Sequence, residues 1–207
     1  MHPNPAFRQD SRARNLAFAI DRGFGTLSIN GDDGPLMAHV PFLLATDGSH
    51  ADIHLARSNA IARAGLPARA VVAVQGPDAY VSPDWYGMVD QVPTWNYVAV
   101  HLRGRLEPLP PEMLRPMVDV LSDRFEQRLL PKKVWRSSKM ADGVMERLLR
   151  MIVPFRLMIE SVDGTWKLNQ NKPEQARMGV VTALRALPKD SPEAKIAALM
   201  QAEAVLQ

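Results

Sequence analysis

The stretch PLMAHVPFLLA, framed by GDDG before it and TDGSH after it, limits the fold more than any other part of the chain. Leu36, Ala38, Val40, Phe42 and Leu44 alternate there with Met37, His39 and Pro41. Successive strand residues point to opposite faces, so this period of two puts one apolar row inward and a mixed row outward. A half-buried strand needs partners of the same pattern, and the flanking segments supply them. FGTLSIN reads as the preceding strand of a hairpin and ADIHLARSN as the following one. RAVVAVQGPDAYVS reads as a long strand broken at Gly76–Pro77 by a bulge or an edge. NYVAVHLRGRLEPL continues the set, with Val98, Val100, Leu102 and Leu106 inward and Tyr97, His101, Arg103 and Arg105 outward. FRLMIESVDGTWKLNQN predicts a hairpin turning at Asp163–Gly164.

Helical patterns surround these strands. Ala13, Leu16, Ala17 and Ile20 predict an N-terminal helix capped by Asp10 and ended by Gly23. From Pro110, the residues Leu114, Met117, Val118, Leu121, Phe125 and Leu129 recur at a period near 3.6. Met145, Leu148, Leu149 and Ile152 mark a second inserted helix. Pro173 opens a helix through Leu184, and an amphipathic tail runs from Pro192 to Leu206. Strands and helices do not alternate, which disfavours a parallel sheet. A mainly β fold with added helices, a small antiparallel barrel of six to seven strands, is the expectation.

Several chemistries are excluded. With no cysteine, disulfides and thiolate metal sites are absent. No GxGxxG, Walker, HExxH or GxSxG pattern occurs. His39, His54 and His101 match no metal-ligand spacing, so no metal is expected and structural histidines are the plainer reading. The start MHPNPAFRQD has no apolar signal core, and no apolar run is long enough to span a membrane, so a cytoplasmic protein is the simplest reading. The formal charge of +3 suits a phosphate-bearing ligand or a weak nucleic-acid contact without specifying either. The run Arg124, Arg128, Lys132, Lys133, Arg136 and Lys139 can contact nucleic acid, but Asp123 and Glu126 interrupt it and a solvated helix face explains it better.

Two segments invite a ligand. Arg57, Ser58 and Asn59 follow a strand end, where a guanidinium fork and backbone N–H groups suit phosphate; an exposed Arg beside a helix cap is the alternative. Tyr80–Tyr97 carries all three tyrosines and two of the four tryptophans in a segment with little apolar periodicity. Such a segment covers a flat ligand, a subunit interface or a core corner. Thr94 and Asn96, with Lys167, Gln170 and Asn171 further on, carry groups suited to a heterocycle edge, Asn171 alternatively capping a helix.

HVPFLL, HLARSN, GPDAYVSPDWY, VPTWNYVAVH, IVPFRLMIESVDGTWKLNQN and ARMGV occur in this order and together closely resemble the PaiB-like family of FMN-binding proteins, often described as negative transcriptional regulators. The resemblance covers most of residues 1–184. It implies a Greek-key split β-barrel of the pyridoxamine-phosphate-oxidase type; with the helical patterns above, the expectation is a barrel domain over 1–184 with a helical insertion at about 110–152, followed by a helical tail over 185–207. It also implies a homodimer with two FMN sites at the subunit interface. His39, Val40, Pro41 and Phe42 would lie along the isoalloxazine ring, and His54, Leu55, Ala56, Arg57, Ser58 and Asn59 would form the phosphate segment. Thr94, Trp95, Asn96, Lys167, Gln170 and Asn171 would close the site, with Trp95 and Asn96 side by side on the flavin and Trp85 in the supporting wall. Here Ser58 and Ala60 stand where the family reads Ala and Pro, Asn169 where it reads Ser, and His2 where it often has Tyr. The implied function is a flavin-responsive regulator; an FMN-dependent oxidoreductase or NAD(P)H:flavin reductase is the alternative, and the sequence singles out no catalytic residue.

Overall fold

A computed structural model describes residues 1–205. Six strands form a closed, mainly antiparallel barrel in the order β1-β2-β3-β6-β5-β4. They are β1 Phe24–Gly31, β2 Gly34–Leu44, β3 His50–Ala56, β4 Ala68–Val81, β5 Thr94–Pro108 and β6 Ile152–Lys167. Six α-helices accompany them: α1 Arg12–Arg22, α2 Ala60–Arg63, α3 Leu114–Gln127, α4 Val144–Leu149, α5 Glu174–Arg185 and α6 Pro192–Val205. No helix is long and apolar enough to cross a membrane among the described residues. The chain divides into two compact units: Leu16–Val74 with His101–Val162, and Met1–Asn15 with Gln75–Val100 and the chain from Asp163 on.

In the first of these units, β1 and β2 pair as the expected hairpin, with Leu27 opposite Ala38 and Gly25 opposite Val40. Phe42 stands opposite Ile53 on β3, and Ile53 opposite Phe155 on β6. These residues, with Leu27, Val40, Leu55, Val72, Leu102 and Leu157, are the buried barrel core. Burying each such side chain contributes about 1.5–3 kcal/mol. Asp52 and Arg156, paired across β3 and β6, add two bonds of 2.6 and 2.9 Å that pin the register from outside. Helix α1 ends at Gly23, whose φ of +57° suits glycine and whose Cβ position would press on the Phe125 ring. Arg124 and Arg128 of the α3 segment donate to the carbonyls of Ile20 and Asp21, satisfying the last turn of α1.

In the second unit, α6 packs on α5, burying Ile196, Ala197 and Met200 beside Val180, Val181 and Leu184. The tail therefore docks on its own chain; Leu206 lies outside the described residues. Trp166 Nε1 donates to Asn15 Oδ1 at 2.8 Å, and the Arg14 guanidinium sits 3.9 Å from the Trp166 ring centroid.

Some boundaries differ from the expectation. β6 is one strand of 16 residues, not a hairpin. Gly164 is there because the Asn15 amide occupies the space a Cβ would need, and it makes no turn. β4 runs unbroken through Gly76–Pro77, which lie beyond Ala73, the last residue paired with β1, so Pro77 deprives β1 of no hydrogen bond. Ser11, not Asp10, caps α1 by accepting from Arg14 N at 3.1 Å; Asp10 is instead held by the Arg14 side chain. Leu129 falls past the end of α3 and is exposed, and Ile152 opens β6 instead of ending a helix.

Candidate functional site

Alternation along β2 and β3 sorts the expected ligand residues onto two faces. Val40, Phe42 and Leu55 point into the barrel core and can offer a ligand only their backbone. His39 and Pro41 lie on the outer face of β2, and His54 and Ala56 on the outer face of β3. His39 Nδ1 is 3.1 Å from Thr26 Oγ1 on β1. His54 stands opposite Pro154, and its Nδ1 is buried with no hydrogen-bond partner among the described residues. Burial without a nearby countercharge holds the His54 imidazole below its ordinary pKa, so it stays neutral.

The strand then delivers Arg57. Its backbone N–H bonds to Met151 O at 2.8 Å, and its Nε donates to Arg150 O at 3.1 Å. That anchors the guanidinium while its two terminal nitrogens carry no hydrogen bond among the described residues. Arg57 lines a cavity of about 510 Å³ shared with Arg115, Arg150, Glu112 and Glu146. Ser58 lines a different cavity, next along the chain. Asn59 caps α2, its Oδ1 accepting from Ile61 N at 2.9 Å, which leaves its amide N–H₂ available. Arg57 is thus the exposed cation and Asn59 the cap, and both functions are compatible with an anion at this strand end.

A separate cluster forms in the other unit. β5 begins at Thr94, so Thr94, Trp95 and Asn96 alternate as strand residues. Lys167 Nζ donates to Thr94 Oγ1 and, at 2.8 Å, to Trp95 O. Burial pushes the Lys167 pKa down. Trp95 is 55% exposed, edge-on to Tyr80 with ring centroids 6.1 Å apart. Asn96 points the opposite way, fully buried, its Nδ2 3.4 Å from Met200 Sδ. Trp95 and Asn96 therefore do not act side by side on one face, a correction that follows from the period-two geometry of β5. Gln170 bonds its own turn, accepting from Leu168 N at 2.8 Å and donating to Trp166 O. Asn171 is exposed, and Pro173, not Asn171, occupies the N-cap of α5.

Tyr80–Tyr97 does bury part of its aromatic surface. Ser82 caps a 3₁₀ turn over Pro83–Tyr86, Tyr86 is buried against Asn169, and Lys172 Nζ lies 5.1 Å from the Tyr86 ring centroid. Gly179 of α5 admits the Trp85 carbonyl where a Cβ would block it. The Trp85 backbone thus packs closely on α5 within its own unit. Sequence reasoning missed Arg115, Arg150, Glu112 and Glu146 around Arg57, whose only local signal is the i,i+4 pair Arg115–Asp119. Five of the six residues of the basic run have partners within the chain: Arg124 and Arg128 bond to α1, Lys132 to Glu126, Arg136 to Asp123 and Lys139 to Val134 O.

Residues 1–161 match the family described as "Putative FMN-binding domain". The chain is 30% identical over 188 residues to the "Protease synthase and sporulation protein PAI 2" of Bacillus subtilis, covering 89% of this chain and 88% of that protein. Among solved structures it resembles the FAD and heme binding protein from Mycobacterium smegmatis, with TM-score 0.59, 20% identity and coverage of 85% and 80%. The flavocytochrome Anf3 from Azotobacter vinelandii gives TM-score 0.54, 15% identity and coverage of 80% and 72%. At these identities the structural likeness bears on the barrel fold. On the strength of its sequence match, the chain belongs to the PaiB-like FMN-binding domain family, and FMN is its cofactor.

Proposed function

We propose that this protein is an FMN-binding homodimer with a regulatory role of the PaiB type, and that the outer face of β2 and β3 with Arg57 receives the flavin. The observation that carries the site is the pairing of a free guanidinium end at Arg57, just past the end of β3, with an orphaned, buried His54 Nδ1 on that strand. The residues fit FMN. Its phosphate dianion matches the Arg57 fork and the Asn59 amide, and its heteroatoms match His39 and His54. Bound FMN would supply hydride and single-electron chemistry. The chain's own residues anchor the phosphate, keep His54 neutral and offer it as a hydrogen-bonding group. The regulatory role rests on the likeness to the PAI 2 protein. Direct DNA contact finds little support, because most of the basic run is engaged by intrachain partners. A dimer is supported by large apolar side chains left in water, among them Phe24 and Met37 in one unit and Val89, Val92 and Trp95 in the other.

Arg57→Ala tests the site. A charge-assisted contact contributes about 1.5–3 kcal/mol, so FMN affinity should fall about 10- to 150-fold while riboflavin, lacking phosphate, is little affected. Equal losses for both ligands would show Arg57 to be structural. Light scattering reads the dimer, and turnover of NAD(P)H by the FMN-loaded protein would replace the regulatory reading with an enzymatic one.

A further inference from the structure

We propose that the helical insertion carries a second ligand site, for a small uncharged aromatic molecule, in the cavity bounded by Ser58, Trp135, Met140, Met145, Leu148 and Met151. The cavity holds about 550 Å³, within the range of roughly 300–1,000 Å³ typical of small-molecule sites. No ionised side chain lines it. Ser58 and Trp135 are the two lining residues whose side chains carry a polar group. The neighbouring cavity shares Leu149 and Ile152 but adds Arg57, Arg115, Arg150, Glu112 and Glu146. Consecutive residues at the end of β3 divide the two, Arg57 lining the charged cavity and Ala56 and Ser58 the apolar one.

That contrast selects the ligand. An ion placed in the apolar cavity would lose its hydration and meet no countercharge, so a neutral molecule is favoured. Three methionines and an indole favour an aromatic one, because thioethers pack well on ring edges and their unbranched chains adapt to its outline. Helix α4 builds the wall, with Met145 buried and Leu148 on its outer side. Leu148 is 45% exposed and Met151 63%, so the mouth is an apolar rim that an occupant would cover.

The site uses neither Arg57 nor His54 and stands apart from the flavin reading. The full chain, with and without FMN, is titrated with N-phenyl-1-naphthylamine, an uncharged aromatic whose fluorescence rises in apolar surroundings. Saturable binding of one probe per chain is expected, with the sulfonated analogue 8-anilinonaphthalene-1-sulfonate at least tenfold weaker. Leu148→Glu, or Met151→Glu if the first fails to fold, should weaken the probe at least tenfold. Met158→Glu, an exposed position outside this cavity, should leave it unchanged. Equal binding of the sulfonate, or unchanged affinity in the rim variants, would overturn the proposal. Displacement of the probe by FMN would make the cavity the flavin's own, and loss of a dimer in Leu148→Glu would make it a subunit contact; either result overturns it. Failure of FMN to bind at all would instead remove the flavin reading and leave the probe result standing.

Discussion

A double-mutant cycle on Asn15 and Gly164 tests why β6 is a single strand. Asn15 is buried, its Oδ1 accepts from Trp166 Nε1 at 2.8 Å, and its amide occupies the space where a Cβ at position 164 would go. Asn15→Ala leaves a buried indole N–H without an acceptor, at a cost of about 1–3 kcal/mol, offset by up to about 0.6 kcal/mol of helix propensity. Gly164→Ala drives the amide away, losing the same bond and adding about 1–3 kcal/mol of overpacking, for about 2–6 kcal/mol in total. With Asn15 already alanine, the new methyl group meets no amide. The double variant should therefore cost no more than Asn15→Ala alone, a coupling of about 2 kcal/mol or more. Urea unfolding reads this directly. With a slope of about 2 kcal/mol/M, the Gly164→Ala midpoint should drop by about 1 M or more, and adding Asn15→Ala should recover part of it. If the two losses add within about 0.5 kcal/mol, Gly164 is constrained by its own backbone, as a turn glycine would be, and the packing account is wrong.

Three further outcomes are expected. Because burial lowers the His54 pKa, the unfolded chain takes up the proton first as pH falls, so stability present at neutral pH should decline below about 6.5 until folded His54 titrates; urea midpoints of the FMN-free protein from pH 8 to 5 should fall less steeply in His54→Phe, and equal slopes would refute this. Arg124→Met should lower the melting temperature by about 2–8 °C, since it removes roughly 1–2 kcal/mol of bonding to the Ile20 carbonyl at the end of α1; no shift would mean solvent serves that carbonyl equally well. Asn96→Leu should hold or raise stability, because Asn96 Oδ1 is buried without a partner and its Nδ2 has only the Met200 sulfur, so a melting temperature lowered by more than about 4 °C would reveal an amide bond of greater worth.

The period-two pattern of β2 was legible because both of its partners are near in sequence. The β1–β2 hairpin needs only Asp32–Asp33 as its connection, and Phe42 reaches Ile53 across a short turn. The same local logic misread Asp163–Gly164, where the residue types of a hairpin turn stand in the middle of a strand. The reason for that glycine is Asn15, far away in the chain, and no local propensity carries such information. Pro77 is a similar case. A proline reads as a break unless the reach of the neighbouring strand is known, and β1 stops pairing at Ala73.

For the candidate site, the sequence located segments better than it located sides. HLARSN was found as a strand end with an anchoring cation, and the structure gives Arg57 a held Nε and a free outer end. What failed was the assumption that neighbours in sequence act together. Setting the start of β5 two residues late, at Asn96, hid the fact that Thr94, Trp95 and Asn96 already alternate. Once they do, Asn96 must enter the interior if Trp95 stays at the surface, and Arg57 and Ser58, in the turn just past β3, likewise line different cavities. A phosphate at Arg57 is then reached from the side of Arg115 and Arg150, while Ser58 faces apolar walls. The residue type at position 58 therefore bears on the polarity of the second cavity. Ser58→Ala should matter more to what enters that cavity than to how tightly a phosphate is held, which is the opposite of what adjacency in HLARSN suggests.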